Sequence, residues 1–130
     1  LGSYLLNNIG NLYSHRRLAN ILGFRSDITT LRYLEETYLI FFLLCYSHKS
    51  GERVKLPKKI YIIDNGFILA KAVQFADKEK LMENLIFTEF LKRGLKANQT
   101  LFYYQTRNRK EVDFILKEGM KIKTLVQVCY

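Results

Sequence analysis

Three hydrophobic patterns follow one another along this 130-residue chain, and each predicts a different kind of element. In the first third, apolar residues recur at helical spacing. Leu18, Ile21 and Leu22 share one face behind Ser14, a suitable N-cap, and Gly23 stands where that helix ends. Ile28, Leu31 and Leu34 form the inner side of a second helix, capped by Ser26 or Asp27. Two short helices joined by a tight turn make a helix-turn-helix pattern. The second helix presents Thr29, Thr30, Arg32 and Tyr33 outward.

The second pattern is continuous apolar runs of strand length. Tyr38 to Tyr46 and Lys59 to Asp64 are predicted strands, separated by the polar, turn-forming stretch Ser47 to Arg53. A helix-turn-helix followed by a β-hairpin is the layout of a winged helix. Lys49, Arg53, Lys55, Lys58 and Lys59 make its wing basic. In a nucleic-acid reader such side chains meet phosphates, which supply affinity without sequence discrimination. The competing reading is a solvated hairpin tip whose lysines keep an edge strand soluble.

Asn65-Gly66 is a turn signal and marks the expected boundary between a segment 1–64 and a segment 65–130. Beyond it, Asp77 caps a helix expected over Lys78 to Arg93, with Leu81, Leu85, Phe87, Phe90 and Leu91 on its apolar side and Gly94 closing it. The last third turns to the β pattern: Leu101 to Thr106, Glu111 to Leu116 and Thr124 to Tyr130, with turns at Arg107-Asn108-Arg109 and Glu118-Gly119. A helix followed by a three-stranded meander places the chain in the α+β class, with more sheet expected after Tyr130. The full expectation from the pattern is a winged-helix-like segment followed by a helix and a truncated meander.

Composition narrows the class. The chain is 48% hydrophobic and 25% charged, as folded domains are. Its 21 Lys and Arg outnumber 12 Asp and Glu, for a net charge of +9 and a pI near 9.6. That balance favours an anionic partner, nucleic acid before an acidic membrane surface or an acidic protein. The cations gather between Lys49 and Lys59 and around the Arg107 turn, whereas acids sit at Glu83, Glu111 and Asp113. The longest apolar run is far below the about 20 residues a membrane span needs. Cys45 and Cys129 make neither a disulfide framework nor a CxxC zinc pair, and read as reduced thiols of a cytoplasmic protein. The first residue is Leu and the last lies in an apolar run, so the chain reads as a piece of something longer.

Chemistry concentrates in the second half. Glu83 lies on the long helix, Asp113 within Glu111 to Leu116, and Gln127 within Leu125 to Tyr130. Burying an unpaired carboxylate is expensive, so polar residues inside apolar strands need a reason. Residues two apart on a strand share a face, which sets Glu111 beside Asp113 and Gln127 beside Cys129. Pairing of those strands would let Asp113 and Gln127 converge, with Glu83 arriving from the helix.

That arrangement resembles the PD-(D/E)XK nuclease-like superfamily, whose core supplies a helical Glu, an Asp from one strand and (Glu or Gln)-x-Lys from the next; the resemblance implies that the helix and meander are a truncated restriction-endonuclease-like domain. The resemblance implies that Glu83, Asp113 and Gln127 form a catalytic centre holding Mg²⁺ or Mn²⁺, which would polarise a phosphodiester and activate a water. The sequence departs from the pattern at the Lys, where Cys129 stands and supplies no ammonium. A Lys from another element, Lys92 for instance, is the alternative donor.

The wider wording extends the likeness across the chain. Thr30-Leu31-Arg32-Tyr33-Leu34-Glu35, Lys59-Ile60-Tyr61-Ile62-Ile63-Asp64-Asn65-Gly66, Glu83-Asn84-Leu85-Ile86-Phe87 and Val126-Gln127-Val128-Cys129-Tyr130, in that order, look like the C-terminal half of predicted AAA+-type ATPases of archaea and bacteria. In those proteins a P-loop domain precedes a winged-helix segment and a domain of unknown function. None of the seven glycines here forms GxxxxGK[ST], so ATP is expected only in an N-terminal ATPase domain outside this chain. The implied role is an accessory module of that ATPase, binding nucleic acid, DNA before RNA. Thr29, Thr30, Arg32, Lys49, Arg53, Lys55, Arg107, Arg109 and Lys110 are the expected contacts. The alternatives are a protein-interaction or regulatory domain of the ATPase and an active Mg²⁺-dependent nuclease. Self-association through an exposed final strand is a further expectation.

Overall fold

The computed structural model describes residues 9–14, 17, 36, 40–47, 51, 56–63 and 78–129. They form one helix and two small antiparallel sheets, an α+β arrangement. The first sheet has the order β1-β3-β2, from β1 (Leu12–Tyr13), β2 (Ile40–Leu43) and β3 (Lys58–Ile62). The second is the meander of β4 (Leu101–Gln105), β5 (Glu111–Glu118) and β6 (Lys121–Val126), and α1 (Lys78–Lys92) precedes it.

Most of the recognition helix and wing expected from the sequence, including Thr29, Thr30, Arg32, Lys49, Arg53 and Lys55, lies outside the described residues, as does the Asn65-Gly66 boundary. Of the first expected helix Arg17 is described: it is helical, and its N–H donates to Ser14 Oγ at 3.2 Å, the bond an N-cap residue makes. The hairpin of β2 and β3 pairs in the expected antiparallel sense, Ile40 opposite Ile62 and Leu43 opposite Lys59. β1 was not legible, because two residues carry no periodicity. It docks on the other side of β3, with Leu12 opposite Lys59. β3 is therefore a central strand, buried along its whole length, and Lys58 and Lys59 belong to the interior and not to a basic wing.

The final strand starts earlier than its apolar run suggests. Gly119, at φ +61, and Met120 form a two-residue turn that sets Glu118 opposite Lys121. A hairpin's register follows its turn. β6 consequently covers Lys121–Val126, and Gln127 to Cys129 follow it as extended chain. The β4–β5 turn closes with Thr106 N donating to Lys110 O at 2.8 Å.

Among the described residues, apolar clusters draw on both sides of residue 65. Leu43, Tyr61 and Ile62 meet Phe87, Leu101, Tyr103, Phe114 and Val128. Tyr61 stacks on Phe87 with centroids 4.4 Å apart, and Phe90 meets Phe114 edge-on at 5.5 Å. Past β2 the chain pairs with β4: Tyr46 N donates to Tyr103 O at 2.7 Å and Tyr103 N to Leu44 O at 3.2 Å. Two asparagine side chains add what amount to extra strand rungs. Asn84 exchanges two bonds of 2.9 Å with the N–H and C=O of Ile62. Asn98, itself at φ +66, accepts from Leu44 N at 2.7 Å and donates to Phe42 O at 2.8 Å. Each amide satisfies backbone groups that burial would otherwise leave costly.

Candidate functional site: a lysine among three carboxylates

Of the apolar side expected on α1, Phe87 is buried in the core and Leu81, Phe90 and Leu91 pack against it. The buried residues of the helix are Glu83, Asn84, Phe87 and Thr88, while Leu85 is exposed. One turn of helix separates Glu83 from Phe87, so the carboxylate sits at the edge of the aromatic cluster. β3 runs past it, and alternation places Lys59 and Tyr61 on the same side of that strand.

Lys59 is sealed from solvent, and its ammonium meets three carboxylates. Nζ lies 2.8 Å from Glu83 Oε1 and 3.3 Å from Asp113 Oδ1, and it contacts Glu111 Oε1. An ammonium has three N–H donors, so its donor count matches the carboxylate count. Glu83 and Asp113 make further contacts. Tyr61 Oη donates to Glu83 Oε1. Val128 N donates to Asp113 Oδ2 at 2.8 Å. Lys80 Nζ stands 3.5 Å from Glu83 Oε2 and donates to Gly10 O at 3.2 Å. The Tyr103 ring walls the ammonium, its centroid 5.5 Å from Nζ.

Electrostatics follow from this crowding. Burial opposes the charge on Lys59, but Glu83 and Glu111 outweigh it and hold the ammonium's pKa above its ordinary value. Burial, and then the neighbouring Glu83, pushes the Tyr61 phenol well above the usual tyrosine range. Glu111 is raised chiefly by burial; Lys59 pulls it back, while Asp113 and Glu83 push it further up.

The structure brings two of the three expected centre residues together. Glu83 and Asp113 meet at Lys59, whereas Gln127 is exposed just beyond β6, and the backbone of Val128 reaches Asp113 in its place. Cys129 is also exposed. Lys92 lies at the far end of α1, beside Glu89 at 4.0 Å, nine residues or about 13 Å along the helix from Glu83. Arg107, Arg109 and Lys110 are exposed on the turn that leads directly into Glu111. Glu111, which strand alternation sets beside Asp113, joins the cluster; Lys59 was missed as a member of it. The available signal was Lys59 and Tyr61 alternating with Ile60 and Ile62 in one strand.

Whether the cluster fits the divalent metal implied by the nuclease-like pattern can be tested on its geometry. Glu83, Glu111 and Asp113 each offer an oxygen, and these atoms lie within 4.8 Å of one another. A small cation bound there would sit about 2.0–2.6 Å from its oxygens. The Lys59 ammonium already touches an oxygen of each carboxylate. With Lys59 in place the residues do not fit a resident metal.

Two comparisons bear on the chain's relationships. Residues 78–128, from α1 to the end of the meander, match a family model described as Domain of unknown function (DUF4143). The chain is also 34% identical, over 137 aligned positions, to Uncharacterized protein MJ1544 of Methanocaldococcus jannaschii, covering 100% of this chain and 30% of that protein. An uncharacterized protein of Haemophilus influenzae is 28% identical over 138 positions, covering 98% of this chain and 32% of its own length. The chain thus spans less than a third of these relatives. No solved structure gives a significant match. Among the described residues no helix is long and apolar enough to cross a membrane.

Proposed function

We propose that this chain is the C-terminal accessory module of a larger AAA+-type ATPase and that it binds nucleic acid through basic surfaces, its nuclease-like centre bracing the fold without cutting. One observation carries the reading: the exposed cationic turn Arg107–Lys110 runs straight into Glu111, and Glu111 is tied to the buried Lys59. A cationic rim thus stands beside a carboxylate centre in which each acid already meets Lys59. Phosphates would be held at the rim by charge, and the centre presents no free ligand set to them. The net charge of +9 agrees with an anionic partner. Relatives more than three times as long leave room for an ATPase domain.

The test is a fluorescence-polarisation titration of duplex DNA and of single-stranded RNA, in EDTA, across a salt series. Affinity falls steeply with salt and needs no metal. The triple change Arg107→Ala, Arg109→Ala, Lys110→Ala lowers the slope of log affinity against log salt by about one for each cation removed. Absence of binding at low salt overturns the reading.

A second reading has its own observation. β6 is exposed along nearly its whole length; Ile122 (44%) and Leu125 (61%) present apolar surface on it, and Met120 (93%) does so in the turn before it. Such a strand suits strand addition by another protein segment. The protein-interaction role is the one that gains if nucleic acid fails to bind.

A further inference from the structure

We infer that Lys59 is itself the resident cation of the carboxylate centre, an internal ammonium that closes to divalent metal a site the nuclease-like pattern would open. The inference rests on the reading above only for the expectation that a metal belongs there; the placement of Lys59 stands without it.

Four features of the structure agree on this. The donor and acceptor counts match, three N–H against three carboxylates, so the ammonium is fully used. Glu83 and Asp113 are held further, Glu83 Oε1 by Tyr61, Glu83 Oε2 by Lys80 and Asp113 Oδ2 by Val128 N, which leaves these two carboxylates little freedom to turn toward a metal. The backbone of Lys59 cannot readily withdraw, because it lies opposite Leu12 on one side and Leu43 on the other. Finally, burying Glu83 and Asp113 beside the half-buried Glu111 without a counter-charge is costly, and Lys59 is the charge sealed in with them. An ammonium and a divalent ion cannot share these oxygens: the first holds them at hydrogen-bond distance, the second at about 2.0–2.6 Å.

The arrangement also has a direction. Lys59 comes from β3, in the winged-helix-like segment, whereas Glu83, Glu111 and Asp113 come from the helix and meander. The first segment thus plugs the centre of the second. A chain built this way keeps the oxygen cluster of a phosphodiester-cutting site while its own lysine occupies the metal position, so contact with nucleic acid does not lead to metal-dependent cleavage.

The experiment uses the intact chain and Mn²⁺ alone as probe, followed by isothermal titration and by thermal melting at matched ionic strength. The wild type is expected to take up no stoichiometric Mn²⁺ and to melt at the same temperature with and without it. Lys59→Ala is expected to melt lower, to bind one equivalent of Mn²⁺ and to regain melting temperature with it; Lys59→Ala combined with Asp113→Asn is expected to lose that gain. One equivalent of Mn²⁺ bound by the wild type and abolished by Asp113→Asn would overturn the inference. So would a cooperatively melting Lys59→Ala that ignores Mn²⁺. Should Lys59→Ala not fold in EDTA, folding restored by Mn²⁺ supports the inference, and without restoration the wild-type titration alone decides. Nucleic-acid affinity in EDTA is read separately, so its loss sinks the binding role and leaves the Lys59 result untouched.

Discussion

Lys59 Nζ and Glu83 Oε1 stand 2.8 Å apart, 24 residues distant in sequence, with side chains 0% and 2% exposed. The bond joins the central strand of one sheet to the helix that leads into the other. Pairs so deeply buried are costly to assemble and costlier to break singly, because the partner left behind is a buried unpaired charge. Much of what can be measured on this protein follows from that asymmetry.

Alkaline titration should unfold the protein through this centre. Lys59 and Tyr61 both have pKa values raised in the folded state. A raised value means the folded chain holds the proton more tightly, so the stabilisation is complete below the unfolded values of 10.0 for tyrosine and 10.5 for lysine and is lost as pH climbs beyond them. Urea midpoints should be level between pH 7 and 9 and fall toward pH 11, with a smaller fall in Tyr61→Phe. An unchanged midpoint at pH 11 would contradict the assignment.

Asn84 should behave as a structural rung. Asn84→Ala leaves the N–H and C=O of Ile62 buried and unpartnered by that amide, at about 1–3 kcal/mol for each unsatisfied group. A loss of at least about 2 kcal/mol in urea unfolding is expected, together with faster hydrogen exchange at the Ile62 amide. A change within about 0.5 kcal/mol, ordinary for exposed sites, would show the rung to be dispensable.

Two glycines separate strain from crowding. Gly10 has φ +73, and a Cβ there would stand 2.9 Å from Lys80 Cδ, disturbing the lysine that reaches Glu83. Gly119 has φ +61 with nothing within 4 Å of its Cβ position. Gly119→Ala should cost about 1–2 kcal/mol from backbone strain alone, and Gly10→Ala clearly more. Equal costs in chemical denaturation would remove Lys80 from the account of Gly10.

The helix and the strand order of the meander were legible because length and turn residues agreed: Gly94 ends α1 at φ +93, and the Arg107 and Gly119 turns divide the strands. The position of β6 was not. Its apolar run pointed to residues 124–130, whereas the two-residue turn at Gly119-Met120 fixes the register and carries Gln127 past the end of the strand. Lys59 was obscured by its neighbours. Following Pro57 and Lys58 it looks like part of a basic hairpin, and only the pairing of β3 on both sides makes it interior. Glu83 and Asp113 stood out in sequence as carboxylates in apolar elements; what no local pattern carries is the cation from a strand tens of residues away. Asn84 and Asn98 were silent for the same reason, since their partners are backbone atoms of distant strands.

The most direct test of the lysine-filled centre is a urea-unfolding double-mutant cycle on Lys59→Met and Glu83→Gln. Each single change should cost about 3–5 kcal/mol, the range for breaking a buried pair from one side. The double variant, with no orphaned partner across this pair, should lose less than the sum by about 1–3 kcal/mol of coupling. Costs that add within about 0.5 kcal/mol would mean that Lys59 and Glu83 do not sense each other, and the centre described here would not exist as a unit.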